Sequence, residues 1–275
     1  LTLELEKMFG KYATLTDPVH NNSYPAISPL RPELSQVGKT ILISGGTTGI
    51  GYGIARGFVR ASAAKVIITG RRADVVSKAT QDLIQESAHT TEVIGFPCDI
   101  SDAAAVEELW LKLKSEGTIV DVLVLNAVMV PPKKPLREVG TDVIWKLFDA
   151  NVRALLQMTE KFDKQEGKGA SATKASTKSL TRLSSEIYLI INSSKHQQYL
   201  VYVSSVSVHD FTIGDEYLGY GLTKHSAQLG LQLMAQQNPP EKMQIVSYHP
   251  GAIFTESAIK QGWTEDSIPW DHGKR

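Results

Sequence analysis

The feature that most constrains this chain is a glycine-rich stretch set between a short apolar run and a helical one. Residues 40–44 (TILIS) are apolar and β-branched. Ser44-Gly45-Gly46-Thr47-Thr48-Gly49-Ile50-Gly51 follows at once, and residues 50–60 have helical character. A strand that turns sharply into a helix favours residues without a Cβ, which permit the turn and a close backbone approach. The start of such a helix offers free N–H groups and partial positive charge, which suits a pyrophosphate. A glycine cluster alone is weak; the flanking strand and helix are the context that gives it meaning.

The alternation continues along the chain. Residues 65–69, 92–96, 120–125, 199–204 and 243–248 read as further strands, and 74–87, 103–114, 141–162 and 217–236 as helices. Strands alternating with helices of this length imply βαβ units, and continuous apolar strands imply a sheet covered on both faces. The predicted fold is α/β, a doubly wound parallel sheet. A length of 275 residues allows one domain or two, and the motif order favours one. A turn-rich N-terminal extension covers 1–37. A dinucleotide-binding domain covers 38–275, interrupted at 164–198 by a Lys-, Ser-, Thr-, Ala- and Gly-rich stretch expected to be a flexible insertion.

Composition narrows the function. The chain has 29 Lys+Arg against 29 Asp+Glu, a net charge of zero, which argues against a nucleic-acid binder. A hydrophobic content of 42% excludes disorder throughout. No apolar run reaches the ~18 residues of a membrane span, and Glu4, Glu6 and Lys7 stand where a signal peptide needs apolar residues. A single cysteine, Cys98, excludes an intramolecular disulfide. The expectation is a cytoplasmic protein with neither a membrane nor a nucleic acid as partner, and no metal site is assigned.

Two further features carry chemistry. Residues 67–72 (IITGRR) end the second strand with Arg71 and Arg72. An acidic residue there would bind the ribose hydroxyls of NAD, whereas an arginine fork pairs with a 2′-phosphate. NADP(H) is therefore favoured over NAD(H), with Arg71 the first candidate and Arg72 the second. Tyr220-Gly221-Leu222-Thr223-Lys224 places a phenol and an ammonium at i and i+4 on one helix face. A tyrosine with a pKa of about 10 is a poor acid–base group at neutral pH, and a neighbouring cation lowers that value.

In this order the residues resemble the classical short-chain dehydrogenase/reductase family, from about residue 38 to 255, with a Rossmann-type fold implied. Residues 44–51 resemble its T-G-x-x-x-G-x-G cofactor loop, which makes Gly45, Thr47, Thr48, Gly49, Ile50 and Gly51 cofactor contacts. Asp99-Ile100 resembles the acidic pair that contacts adenine, and Asn126-Ala127 the N-N-A-G strand end. Pro250-Gly251 through Thr255 resembles the P-G-x-x-x-T segment beside the nicotinamide. The resemblance implies a catalytic set of Asn151, Ser205, Tyr220 and Lys224. Tyr220 would exchange a proton with the substrate oxygen, and Lys224 would lower its pKa and hold the nicotinamide ribose. Ser205 would orient the substrate, with Ser207 as the alternative, and Asn151 would hold a proton-relay water. The implied reaction is hydride transfer between NADP(H) and a small, apolar carbonyl compound or secondary alcohol, by a homodimer or homotetramer. Substrate-lining candidates are Val130, Phe211, Ile213, Phe254, Trp263 and Trp270.

The chain departs from the family pattern at several places. Val128 replaces a glycine, and Ser205 lies 15 positions before Tyr220, two more than the commonest spacing, while Ser207 lies 13 before it. The insertion separates a helix from its strand, and the family's last helix and strand are expected to be absent. Two other functions stay open on these residues: a catalytically silent dinucleotide-binding protein acting through partners, and a non-redox isomerase or dehydratase on the same fold.

Overall fold

The structure, a computed structural model, describes residues 24–87, 90–131, 134–165, 197–209, 218–267 and 270. The alternation read from the sequence is present. β1 (Thr40–Ile43) leads into α1 (Gly49–Arg60), β2 (Lys65–Gly70) into α2 (Ala73–Glu86), and β3 (Glu92–Pro97) into α3 (Ala103–Ser115). β4 (Val122–Leu125) is followed by the short α4 (Leu136–Val139), α5 (Thr141–Phe148), a π-turn segment (Asp149–Arg153) and α6 (Ala154–Asp163). β5 (Gln198–Val203), α7 (Leu218–Gln237), β6 (Met243–Tyr248) and α8 (Glu256–Lys260) complete the order.

The six strands form one sheet in the order β3-β2-β1-β4-β5-β6, and every pairing is parallel. Its two faces are sorted by the alternation of side chains along each strand. Ile41 and Ile43 of β1 pack with Ala55, Phe58 and Val59 of α1 and Leu83 of α2. Leu42, between them, packs with the opposite layer, which includes Leu109 of α3, Met158 and Phe162 of α6, and Leu231 of α7. α3 begins where the Asp102 carboxylate accepts a hydrogen bond from Ala104 N at 2.9 Å, a cap worth about 1 kcal/mol. Val106, Leu109, Trp110 and Leu113 then recur at helical spacing and are all buried. The strand order reverses between β1 and β4, so a crevice opens at the carboxyl ends of these strands.

Two sequence-based boundaries change. The helix read over 141–162 is two α-helical pieces joined by the wide turn at Asp149–Arg153. Apolar spacing hardly differs between the two windings, so periodicity does not reveal it. Part of the N-terminal extension is packed: Leu34 is fully buried, and Gln36 N donates to Ala61 O at 2.7 Å. Residues 1–23 lie outside the described residues. Both ends of the insertion are held, which corrects its predicted limits. β5 starts at Gln198, inside the predicted flexible stretch. The Gln165 side chain bonds both backbone groups of Val120, and Gln198 Nε2 donates to Phe162 O at 2.7 Å. Residues 166–196 lie outside the described residues, as does most of the loop from 209 to 216.

Candidate active site

A groove of about 680 Å³ opens at the carboxyl ends of β1 to β4. Of the sequence-predicted cofactor residues, Gly45, Thr47, Thr48, Gly49, Ile50, Arg71, Arg72, Asp99, Ile100, Asn126, Ala127 and Thr255 line it. Gly51 does not. It packs beneath the loop, where a Cβ would stand 2.1 Å from Gly45 O and 2.4 Å from Asn126 Nδ2. Its glycine character serves the close approach of α1 to β1 rather than direct contact with a ligand. Gly45 and Gly49 have φ of +64° and +55°, the left-handed region that other residues adopt at a cost. Asn126 is also turned towards the loop: its Nδ2 donates to Ser44 O at 3.1 Å and Gly45 O at 3.0 Å. Ser44 Oγ accepts from Asn126 N and Ala127 N and donates to Val124 O. This lattice fixes the loop between β1 and β4.

Several features of the groove fit a dinucleotide. Thr48 precedes α1 without capping it through its side chain, which leaves first-turn donors for an anion. Arg71 and Arg72 are exposed on its rim. Asp99 holds its turn through Oδ1, which accepts from Ser101 N at 3.0 Å and Ser101 Oγ at 2.7 Å. Glu256, Ser257, Lys260 and Gln261 also line the groove and bring α8 to it. Pro250 and Gly251 lie outside the lining, at the turn after β6, where Gly251 has φ +85°.

The four predicted catalytic residues gather beside this groove. The Tyr220 phenol is hydrogen-bonded to the Ser205 side chain. Ser207 stands behind Ser205, donating from Oγ to Ser205 Oγ at 3.0 Å. Its carbonyl accepts a hydrogen bond from His225 Nε2 at 2.8 Å. Ser205 rather than Ser207 therefore meets the tyrosine. Burial pushes the Tyr220 phenol above its ordinary pKa, and the hydrogen bond with Ser205 pulls the other way. The depression expected from a neighbouring cation is not the dominant influence. Lys224 is itself buried, and burial brings its ammonium down to about 7. Its Nζ donates to Val203 O at 2.7 Å.

Asn151 lies in the π-turn, whose wider winding carries it into the interior. Its Oδ1 accepts from Met129 N at 2.7 Å, and its Nδ2 donates to Met129 O at 2.9 Å and Thr223 Oγ1 at 3.1 Å. Thr223 in turn donates to Tyr220 O at 3.0 Å. Asn151 thus ties the strand end after β4 to the helix that bears Tyr220. Thr223 was missed, because a threonine beside a lysine carries no signal of its own. Asn151, Lys224, Tyr202 and Val128 line a small cavity of about 10 Å³ adjoining the groove. Of the predicted substrate-lining residues, Val130 lines the groove. Phe254, Trp263 and Trp270 do not; they pack on one another, with ring centroids 5.1 and 6.2 Å apart. Phe211 and Ile213 lie outside the described residues. Among those residues, no group of three or more His, Cys, Asp or Glu side chains is placed to hold a metal.

The short chain dehydrogenase family profile matches residues 39–173. A short chain dehydrogenase/reductase of Aspergillus aculeatus, AacuD, is 26% identical over 264 residues, covering 96% of this chain and 80% of that one. The chain belongs to the short-chain dehydrogenase/reductase family. A second relative, the short chain dehydrogenase/reductase nsrO of Aspergillus novofumigatus, is 27% identical over 92% of this chain and 77% of that one. The NADP-dependent 3-hydroxy acid dehydrogenase YdfG of Salmonella typhi is 33% identical over 43% of this chain and 45% of its own length. The fold matches the Pseudomonas aeruginosa RhlG/NADP complex with a TM-score of 0.67 at 19% identity, covering 86% and 81% of the two chains. It also matches 7α-hydroxysteroid dehydrogenase complexed with NADH and 7-oxo glycochenodeoxycholic acid, with a TM-score of 0.65 at 21% identity over 86% and 78%. The family comprises oxidoreductases that use a nicotinamide dinucleotide and act on small molecules. Among the described residues, no helix is long and apolar enough to cross a membrane.

Proposed function

We propose that this dehydrogenase transfers hydride between NADP(H) and the carbonyl or secondary alcohol carbon of a small, mostly apolar molecule. One observation carries the reading. The Tyr220 phenol, hydrogen-bonded to Ser205, stands beside a buried Lys224 at the edge of a groove shaped for a dinucleotide. Nicotinamide, when bound, supplies or accepts the hydride. The chain's own residues bind, orient and move the proton. The glycine loop from Gly45 through Thr47, Thr48 and Gly49 to Ile50, with the start of α1, holds the pyrophosphate, and Gly51 lets α1 approach β1 closely enough to shape that loop. Asp99 and Ile100 border adenine. Asn126, Ala127 and Thr255 border the nicotinamide end, and Pro250 and Gly251 shape the turn that leads to Thr255.

Tyr220 gives its proton to the substrate oxygen in reduction and removes it in oxidation. A phenol raised by burial stays protonated at neutral pH, the form that reduction needs. Ser205 donates to the same substrate oxygen as charge develops there. Lys224 holds the nicotinamide ribose, and its pKa of about 7 lets it exchange a proton at neutral pH. Asn151 positions the Met129 backbone beside it for a relay to water. Val128, Met129 and Val130 on the groove wall support an apolar substrate.

Arg71 and then Arg72 select the 2′-phosphate. Their place on the groove rim and the NADP dependence in YdfG's name support that choice. The proposed catalytic domain is 38–275, with 1–37 as an extension. It works in the cytoplasm as a homodimer or homotetramer, through helix faces on which Leu156, Leu229 and Leu233 are exposed.

The test is turnover of a panel of apolar ketones and aldehydes with NADPH and with NADH. Tyr220→Phe lowers turnover by about 10²–10⁴-fold while NADPH binding, followed by nucleotide fluorescence, persists. Arg71→Glu lowers the preference for NADPH over NADH on the order of tenfold or more. Wild-type turnover in Tyr220→Phe overturns the catalytic assignment, and an unchanged cofactor preference in Arg71→Glu overturns the NADP assignment.

A further inference from the structure

Lys224 is a buried cation with no carboxylate partner among the described residues, and its surroundings are largely aromatic. Side chains alternate along β5, so Tyr199, Val201 and Val203 face the layer of α1 and α2. Leu200 and Tyr202 face the opposite layer, to which α7 contributes Ala227 and Leu231. That register brings the Tyr202 ring under the Lys224 side chain. Lys224 Nζ lies 4.7 Å from the Tyr202 ring centroid and 5.7 Å from that of Tyr220. Its described hydrogen bond is to a neutral acceptor, Val203 O. The small cavity at this point is lined by Tyr202, Lys224 and Asn151 together. An ammonium withdrawn from water needs compensation, and the negative face of a ring within about 6 Å supplies it, most strongly when desolvated.

We infer that Tyr202 is a positioning residue, its ring face holding the Lys224 ammonium charged and in place beside Tyr220. The inference rests on reading Tyr220 and Lys224 as the proton-transfer pair. The nearer ring is not the one that reacts, so the lysine is held independently of the Tyr220 protonation state. Burial pushes the Tyr202 phenol far above its ordinary value, so it remains neutral and acts through its ring, not as a counter-ion. The other titratable group facing Nζ among the described residues is Tyr220 of α7. The π-turn contributes the neutral Asn151, and β4 the apolar Leu125.

The test separates ring electronics from shape. Protein labelled with ¹³C-lysine is titrated by NMR, the Lys224 signal being assigned by its loss in Lys224→Arg. Phenylalanine and then trifluorophenylalanine replace Tyr202. The first keeps the ring face and removes the hydroxyl; the second weakens the face at nearly constant shape. The Lys224 midpoint is expected to stay in place in Tyr202→Phe. With the fluorinated ring it falls by about one pH unit, a tenfold loss of proton affinity. A midpoint unmoved by fluorination overturns the inference. So does an equal fall in Tyr202→Phe, which would assign the effect to the hydroxyl. The titration needs no turnover, so its failure is distinguishable from failure of the catalytic reading, which the activity of Tyr220→Phe reports.

Discussion

Two lysines, one half-buried and one buried, sit on tyrosines of the same strand, at opposite ends of the sheet. Lys39, just before β1, lies 5.1 Å from the ring centroid of Tyr199 near the start of β5. Lys224 lies 4.7 Å from that of Tyr202 near its end. Burial lowers both, Lys39 to about 8 with the charge of Asp121 opposing, and Lys224 to about 7. Their surroundings differ in kind. At the amino end Thr40 N donates to Asp121 Oδ2 at 2.7 Å and Asp121 N to Thr40 O at 2.9 Å. Gln165 closes the same end through both backbone groups of Val120. At the carboxyl end the chain opens onto the groove, and the lysine adjoins a phenol and a cavity. A similar lysine–tyrosine pair is thus a packing contact at one end and part of the proposed reactive site at the other. In a parallel sheet the glycine turns and helix starts all fall at the carboxyl ends.

The sharpest way to break this contrast is to remove each ammonium in turn. Lys224→Met lowers turnover by about 10²-fold or more, whereas Lys39→Met leaves turnover at the wild-type level in the same assay. A comparable loss in Lys39→Met would dissolve the distinction between the two ends. The next effect tests the loop that opens the carboxyl end. In Gly51→Ala the new methyl meets the Gly45 carbonyl, a backbone atom that cannot swing aside. Overpacking of this kind costs about 1–3 kcal/mol and is expected to weaken NADPH binding on the order of tenfold. Gly53→Ala on the same helix, where a Cβ meets nothing within 4 Å, serves as the control. It is expected to stabilise by about 0.5–1 kcal/mol, read from thermal unfolding.

The smallest effect is on the pH dependence of stability. A lysine with a depressed pKa binds fewer protons folded than unfolded between its two values, so stability rises with pH across that window. For Lys39 the window runs from about 8 to 10.5, and for Lys224 from about 7 to 10.5. Denaturant unfolding across this range should show the rise. Lys39→Met should remove only the part above about 8, while Lys224→Met removes a part that begins lower. Identical profiles in the two variants would show that the two ends do not differ electrostatically.

What could be read without a structure was local in sequence. The β1–glycine–α1 unit, Arg71 and Arg72 after β2, and Tyr220 with Lys224 each lie within one turn or one strand end. Spacing alone reports such neighbours, because strand and helix periods are fixed by backbone geometry. The alternation of apolar runs likewise carries the parallel, doubly wound sheet. Tertiary structure decided what depends on residues far apart in the chain. It placed Ser205 rather than Ser207 on Tyr220, drew α8 to the groove, and turned Asn126 and Gly51 inward to brace the loop. It also wound Asp149–Arg153 as a π-turn, so that Asn151 reaches both Met129 and Thr223. And it laid Lys224 on Tyr202, a neighbour 22 positions earlier on another element. Such contacts follow from which face each strand turns to which helix, a relation that exists only once the layers have packed.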